Sequence, residues 1–164
     1  MNWKIIVKEM PEEEQQKKLE EYRKKWKYPM GRDGFIETWR KSFTYKGIKF
    51  ELAILRYFTL DEGFKPMGNR KSDRHVVVEY PKATEPLVKF VNSLGWDDFL
   101  WHDTLHSWND NQTIEEQLDE AYRMAMNDID YLPQWFEEKE KELKSKLEEI
   151  RSFKERFVEV VRND

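Results

Sequence analysis

The alternation of apolar and polar residues between Phe35 and Phe58 is the clearest secondary-structure signal in the chain. The stretches 35–45 and 48–58 both repeat with the period of two that is typical of half-buried strands. The dipeptide Lys46-Gly47 separates them and suits a two-residue hairpin turn, because glycine takes a positive φ without strain. The pattern therefore predicts a hairpin over 35–58.

The turn and the apolar pattern together predict the register of this hairpin. A slip of one residue would move every apolar side chain to the opposite face of the sheet. A third apolar stretch at 75–80 ends at Pro81 and predicts a neighbouring strand, which makes an antiparallel meander. The predicted cross-strand pairs are Tyr45–Ile48, Phe43–Phe50, Trp39–Ile54, Phe35–Phe58 and the ion pair Glu37–Arg56.

Helices are predicted before and after this meander, with one short strand at 3–7. A charged segment at 11–27 has acidic residues first and basic residues last, as the helix dipole favours. Residues 84–94 read as a second helix that stops at Gly95. Thr113 and Glu116 form a capping box that starts a third helix, and Pro133 predicts a break or kink in it.

The resulting prediction is an α+β fold, with an antiparallel sheet covered by helices and a long C-terminal helix. We predict one domain over 1–164, with an α+β core at 1–132 and the long helix at 133–162. Apolar residues along this helix recur at steps of three and four, which is typical of a seam that packs against another helix. The predicted partner-binding residues are Trp135, Phe136, Leu143, Leu147 and Ile150.

The amino-acid composition argues for a folded protein and against several kinds of function. Charged residues make up 38% and aromatic residues 15%, which argues for a folded aromatic core beneath a charged surface. The net charge of -4 gives no global attraction to nucleic acid or to anionic membranes. With no cysteine, disulfides and thiolate chemistry are absent. No apolar run suggests a leader or a membrane span, so we expect a cytoplasmic protein with no membrane partner.

The segment 101–110 holds the residues that could bind a metal or move a proton. On a helix, His102 and His106 would share one face with Asp103 nearby, and together they could hold a divalent metal for hydrolysis of phosphoesters. On a strand the two imidazoles would lie about 13 Å apart, too far to ligate one ion. The sequence leaves helix and strand open, and the interpretation we favour is a structural segment anchored by tryptophans.

A basic loop at 65–74 offers a second candidate site. Its cations, Lys65, Arg70, Lys71 and Arg74, lie near glycines, as in loops that bind phosphate or nucleic acid. No phosphate-binding loop motif is present, and nearby acidic residues dilute the charge, so a solvated loop is the favoured interpretation.

These patterns contain no complete catalytic motif. The sequence therefore favours a non-enzymatic interaction protein, an inhibitor, adaptor or accessory subunit, that needs no cofactor. Its expected partner is another protein or a second copy of the chain. The alternatives are the metal-dependent hydrolase and nucleic-acid binding through the basic loop.

Overall fold

The computed structural model describes residues 1–25, 33–59, 74–104 and 112–163. The chain divides into two compact units, Met1–Asp128 and Ile129–Asp164. Among the described residues, the first unit contains the sheet and the shorter helices, and the second is the C-terminal part of one long helix. The prediction of a single domain stays a prediction.

The first unit has an α+β fold, as predicted. Its four-stranded antiparallel sheet has the order β1-β2-β3-β4, so a short fourth strand extends the expected meander. The helices are α1 (Trp3–Ile6), α2 (Glu12–Lys25), α3 (Glu85–Ser93) and α4 (Ile114–Asn163), and the strands are β1 (Asp33–Tyr45), β2 (Ile48–Thr59), β3 (Arg74–Glu79) and β4 (His102–Asp103).

The hairpin forms with the predicted turn. Lys46 and Gly47 both have positive φ, 46° and 81°, which matches the twist of a tight two-residue hairpin. Next to the turn the predicted register is confirmed, and the observed pairs there include Tyr45–Ile48, Phe43–Phe50 and Trp39–Ile54.

The register changes at Thr38, where β1 carries one residue more than β2. The carbonyl of Thr38 accepts a hydrogen bond from the backbone of Met10 (2.9 Å), so this bulge also binds the segment before α2. Beyond the bulge Ile36 becomes buried and Phe35 is exposed. The predicted pairs Phe35–Phe58 and Glu37–Arg56 are therefore wrong, and the observed pairs are Phe35–Tyr57, Glu37–Leu55, Ile36–Arg56 and Gly34–Phe58.

One face of the sheet packs under the helices. Phe58 contacts Tyr22 of α2, and the ring centroids of Phe50 and of Tyr122 on α4 are 5.5 Å apart. Because side chains alternate along a strand, residues at every second position of β2 share this face. The buried apolar residues on it include Phe50, Leu52, Ile54, Phe58, Val76 and Val78.

Residues 3–6 form the short helix α1, so the predicted strand at 3–7 is wrong. Trp3 is 1% exposed, its Nε1 donates to Asp119 Oδ1 at 2.6 Å, and its ring meets those of Phe43 and Tyr122 edge-on. A helix this short is unstable alone, so tertiary contacts of one tryptophan select it over the strand that its neighbours favour.

Helix α4 begins at the predicted capping box. The Thr113 hydroxyl accepts from the Glu116 backbone and the Glu116 carboxylate accepts from the Thr113 backbone, at 3.2 and 2.8 Å. The helix then continues through Pro133 to Asn163, so a break is wrong, and the alternative of a kink stays a prediction. Strong helix formers lie on both sides of the proline, mainly Glu, Ala, Met and Leu before it and Glu, Lys and Leu after it, and their helix propensity offsets the lost hydrogen bond. None of the described helices is long and apolar enough to cross a membrane.

Candidate functional site

The C-terminal part of α4 exposes a row of large apolar side chains on one side of the helix. Leu143, Ile150 and Phe157 are seven residues apart, which brings them onto one face after two turns. Their exposures are 46%, 63% and 70%. We call the whole set the α4 stripe: Leu143, Leu147, Ile150, Phe153, Phe157, Val158, Val160 and Val161.

The predicted partner-binding residues divide into two groups. Leu143, Leu147 and Ile150 belong to the α4 stripe and are exposed. Trp135 and Phe136 are half-buried, with ring centroids 5.4 Å apart. Sequence spacing places Phe153, Phe157 and Val161 on the same seam, whereas Val158 and Val160 lie beside it and are recognised only from their exposure.

Charges are distributed unequally around this part of α4. At 100° per residue, the half of the helix that carries the stripe also carries Lys139, Lys146 and Lys154 together with Glu140 and Glu142, and Arg151 lies at its edge. Basic residues therefore outnumber acidic residues around the stripe. The opposite half has a small acidic excess; its charged residues from 137 onward are Glu137, Glu138, Lys141, Lys144, Glu148, Glu149, Glu155, Arg156, Glu159 and Arg162.

Some of these cations have carboxylate partners on α4 itself. Lys139 and Lys146 both hydrogen-bond Glu142 and hold the pKa of its carboxyl well below its usual range. Exposed pairs on a helix surface contribute little, so Lys146 can exchange Glu142 for an acidic group of a bound protein at small cost. Within the described residues, Arg151 and Lys154 form no ion pair and are already available.

The predicted metal site has a different geometry. His102 and Asp103 form the short strand β4, so their side chains project from opposite faces of the sheet. His102 donates from Nε2 to Asp128 Oδ2 on α4 at 2.7 Å, while Asp103 bonds His75 Nδ1 on β3 at 2.6 Å. The structure thus separates two residues that the metal hypothesis brings together, and His106 lies outside the described residues.

These two His–Asp pairs hold the edge strand from both sides. Asp128 Oδ2 also accepts the backbone N–H of Leu100 (2.9 Å), whose φ of 54° is unusual for leucine. Thr104 extends the pairing between β3 and β4 by one residue. Its hydroxyl accepts from the Val76 backbone N–H at 3.0 Å and lies 2.9 Å from the Val76 carbonyl oxygen. The arrangement is that of a structural clamp.

Sequence analysis does not predict the two clamp partners. His75 and Asp103 are 28 residues apart, and His102 and Asp128 are 26 apart, so no local spacing relates them. Among the described residues, no three His, Asp or Glu side chains lie close enough to hold one metal ion. The metal-dependent hydrolase stays a prediction.

The basic loop falls mostly outside the described residues, which leaves Lys65, Arg70 and Lys71 without a structural account. Arg74 is the exception and lies at the start of β3. Its Nε is 3.1 Å from Glu9 Oε2, so this cation is bound to a carboxylate of the same chain. Nucleic-acid binding by the loop stays a prediction.

We compared the chain with protein-family models, curated proteins and solved structures. No family model matches it, and neither search of known proteins finds a match.

Proposed function

We propose that this protein is a non-enzymatic interaction protein that binds a protein partner through the α4 stripe. One observation carries the proposal: eight large apolar side chains are exposed together along one face of a regular helix. Contiguous exposed apolar patches on soluble proteins usually mark interaction sites, because burying them against a partner removes apolar surface from water.

The spacing of the stripe supports a helical partner. Steps of three and four residues place Leu143, Leu147, Ile150, Phe157 and Val161 in the narrow seam that packs knobs-into-holes against a second helix. A single rigid helix also loses little conformational entropy when it binds, so more of the gain from apolar burial appears as affinity.

Site-specific photo-crosslinking tests this function. A benzoylphenylalanine replaces Ile150 in the stripe or, as the control, Ser152 on the opposite face, in cells that naturally make the protein. We expect one protein to be crosslinked from position 150 and not from position 152, and this protein, once purified, to bind the unmodified chain. Equal crosslinking from both positions would contradict the proposal, as would a partner that binds equally well after Ile150→Glu.

A further inference from the structure

The charges around the α4 stripe define its partner further. We infer that the stripe binds an amphipathic helix of another protein, and that acidic residues border the apolar face of that helix. This inference rests on the function proposed above and specifies its partner.

In heptad notation, Leu143, Ile150 and Phe157 occupy d positions, and Leu147, Lys154 and Val161 occupy a positions. Lys154 therefore lies inside the apolar seam. The methylene stem of Lys154 can pack along the seam while its ammonium group reaches the rim. A carboxylate of the bound helix placed at that rim would pair this charge and keep the apolar contacts on both sides of Lys154.

Most charged positions in and beside the seam are basic, with Glu137 at e and Glu140 at a as the acidic residues. Lys139 and Lys146 are at g, and Lys144 and Arg151 are at e. In coiled coils, residues at e and g face the partner helix and determine which partner is accepted. Cations on both sides of one seam favour a partner with glutamate or aspartate at its facing positions.

A second copy of the chain fits this surface poorly. In a parallel pair Lys154 faces its own copy, and Lys146 faces Arg151 of the other chain. In an antiparallel pair that sets Leu147 against Ile150, Lys154 faces Leu143, and Lys144 lies beside Arg151. Both arrangements bring like charges together at the seam.

An anionic membrane is also a poorer fit than an acidic helix. The half of α4 opposite the stripe carries Glu148, Glu149, Glu155 and Glu159. Surface-binding helices are typically rich in Lys and Arg on their polar face, which attracts the lipid headgroups. Here that face combines six glutamates with four basic residues, so it lacks the cationic excess that such binding uses.

Two designed helical peptides of equal length test the inference. Both have leucine at a and d, and they differ only in carrying glutamate or lysine at e and g. By fluorescence anisotropy with the full chain, we expect the glutamate peptide to bind at least about tenfold more tightly at low salt. The difference should shrink as salt screens the charges.

Charge substitutions provide the matched comparison. The variant Lys146→Glu/Lys154→Glu is expected to prefer the lysine peptide, whereas Lys141→Glu/Arg156→Glu, on the opposite half of α4, keeps the original preference. Equal affinity for both peptides overturns the acidic partner but not the proposed function. If neither peptide binds, the proposed function fails as well.

Two further outcomes overturn the inference in favour of another occupant. Light scattering that finds a dimer disrupted by Ile150→Glu would identify a second copy of the chain. Sedimentation with phosphatidylserine vesicles at lower concentrations than the glutamate peptide requires would identify a membrane surface. We expect a monomer and no stripe-dependent sedimentation.

Discussion

Replacing Ile150 and Phe157 with glutamate is expected to weaken binding of the glutamate peptide at least about 100-fold. Central apolar contacts of an interface commonly cost about 2 kcal/mol or more each when removed, and effects at neighbouring positions add incompletely. The new carboxylates on α4 would also face the glutamates of the peptide and repel them. Because the two side chains are 63% and 70% exposed in the free chain, its unfolding free energy should change by only about 0.5 kcal/mol per site.

The matched control places the same charges on the other side of the helix. Ser145→Glu/Ser152→Glu adds two glutamates opposite the stripe and should leave the anisotropy titration unchanged. Equal losses of affinity in both variants would show that overall charge, rather than the stripe, controls binding. A loss of several kcal/mol of stability in the first variant alone would show that the stripe belongs to a folded core.

Asp128→Ala is expected to lower the unfolding free energy by about 2–4 kcal/mol. The Asp128 carboxylate accepts from His102 Nε2 and from the Leu100 backbone, and His102 and Asp128 side chains are each only 13% exposed. Removing it leaves two largely buried donors without an acceptor, at about 1–3 kcal/mol each. Urea denaturation followed by circular dichroism measures the loss.

Two further variants make this test specific. Asp128→Asn retains an acceptor oxygen and should lose less stability than alanine. Asp97→Ala removes an exposed aspartate in the turn before the same segment and should change the unfolding free energy by about 0.5 kcal/mol or less. An Asp128→Ala protein as stable as Asp97→Ala would contradict the clamp.

The sequence predicts features governed by local chemistry. Lys46-Gly47 specifies the hairpin turn, and Thr113 with Glu116 specifies the start of α4. The seam of α4 follows from spacing alone, because helical periodicity determines which residues share a face. These are short-range rules, and the structure confirms the turn and the cap, while partner binding by Leu143, Leu147 and Ile150 stays a prediction.

The predictions fail where distant contacts override local preference. The bulge at Thr38 depends on the Met10 backbone, which lies in another element, and α1 depends on Trp3 reaching Asp119. The apolar pattern contains no information on either contact. The predicted metal site differs from the structure for the same reason, since His102 and Asp103 bond partners 25 or more positions away.

Footprinting of phenylalanine side chains tests most directly whether the α4 stripe is a free binding surface. In the dilute unbound chain, hydroxyl radicals should label Phe153 and Phe157, both 70% exposed, much faster than Phe50 and Phe58, which are at most 1% exposed. The glutamate peptide should then protect the first pair and leave the second unchanged. If Phe153 and Phe157 are as protected as Phe50 in the unbound chain, the stripe is already covered and the account is contradicted.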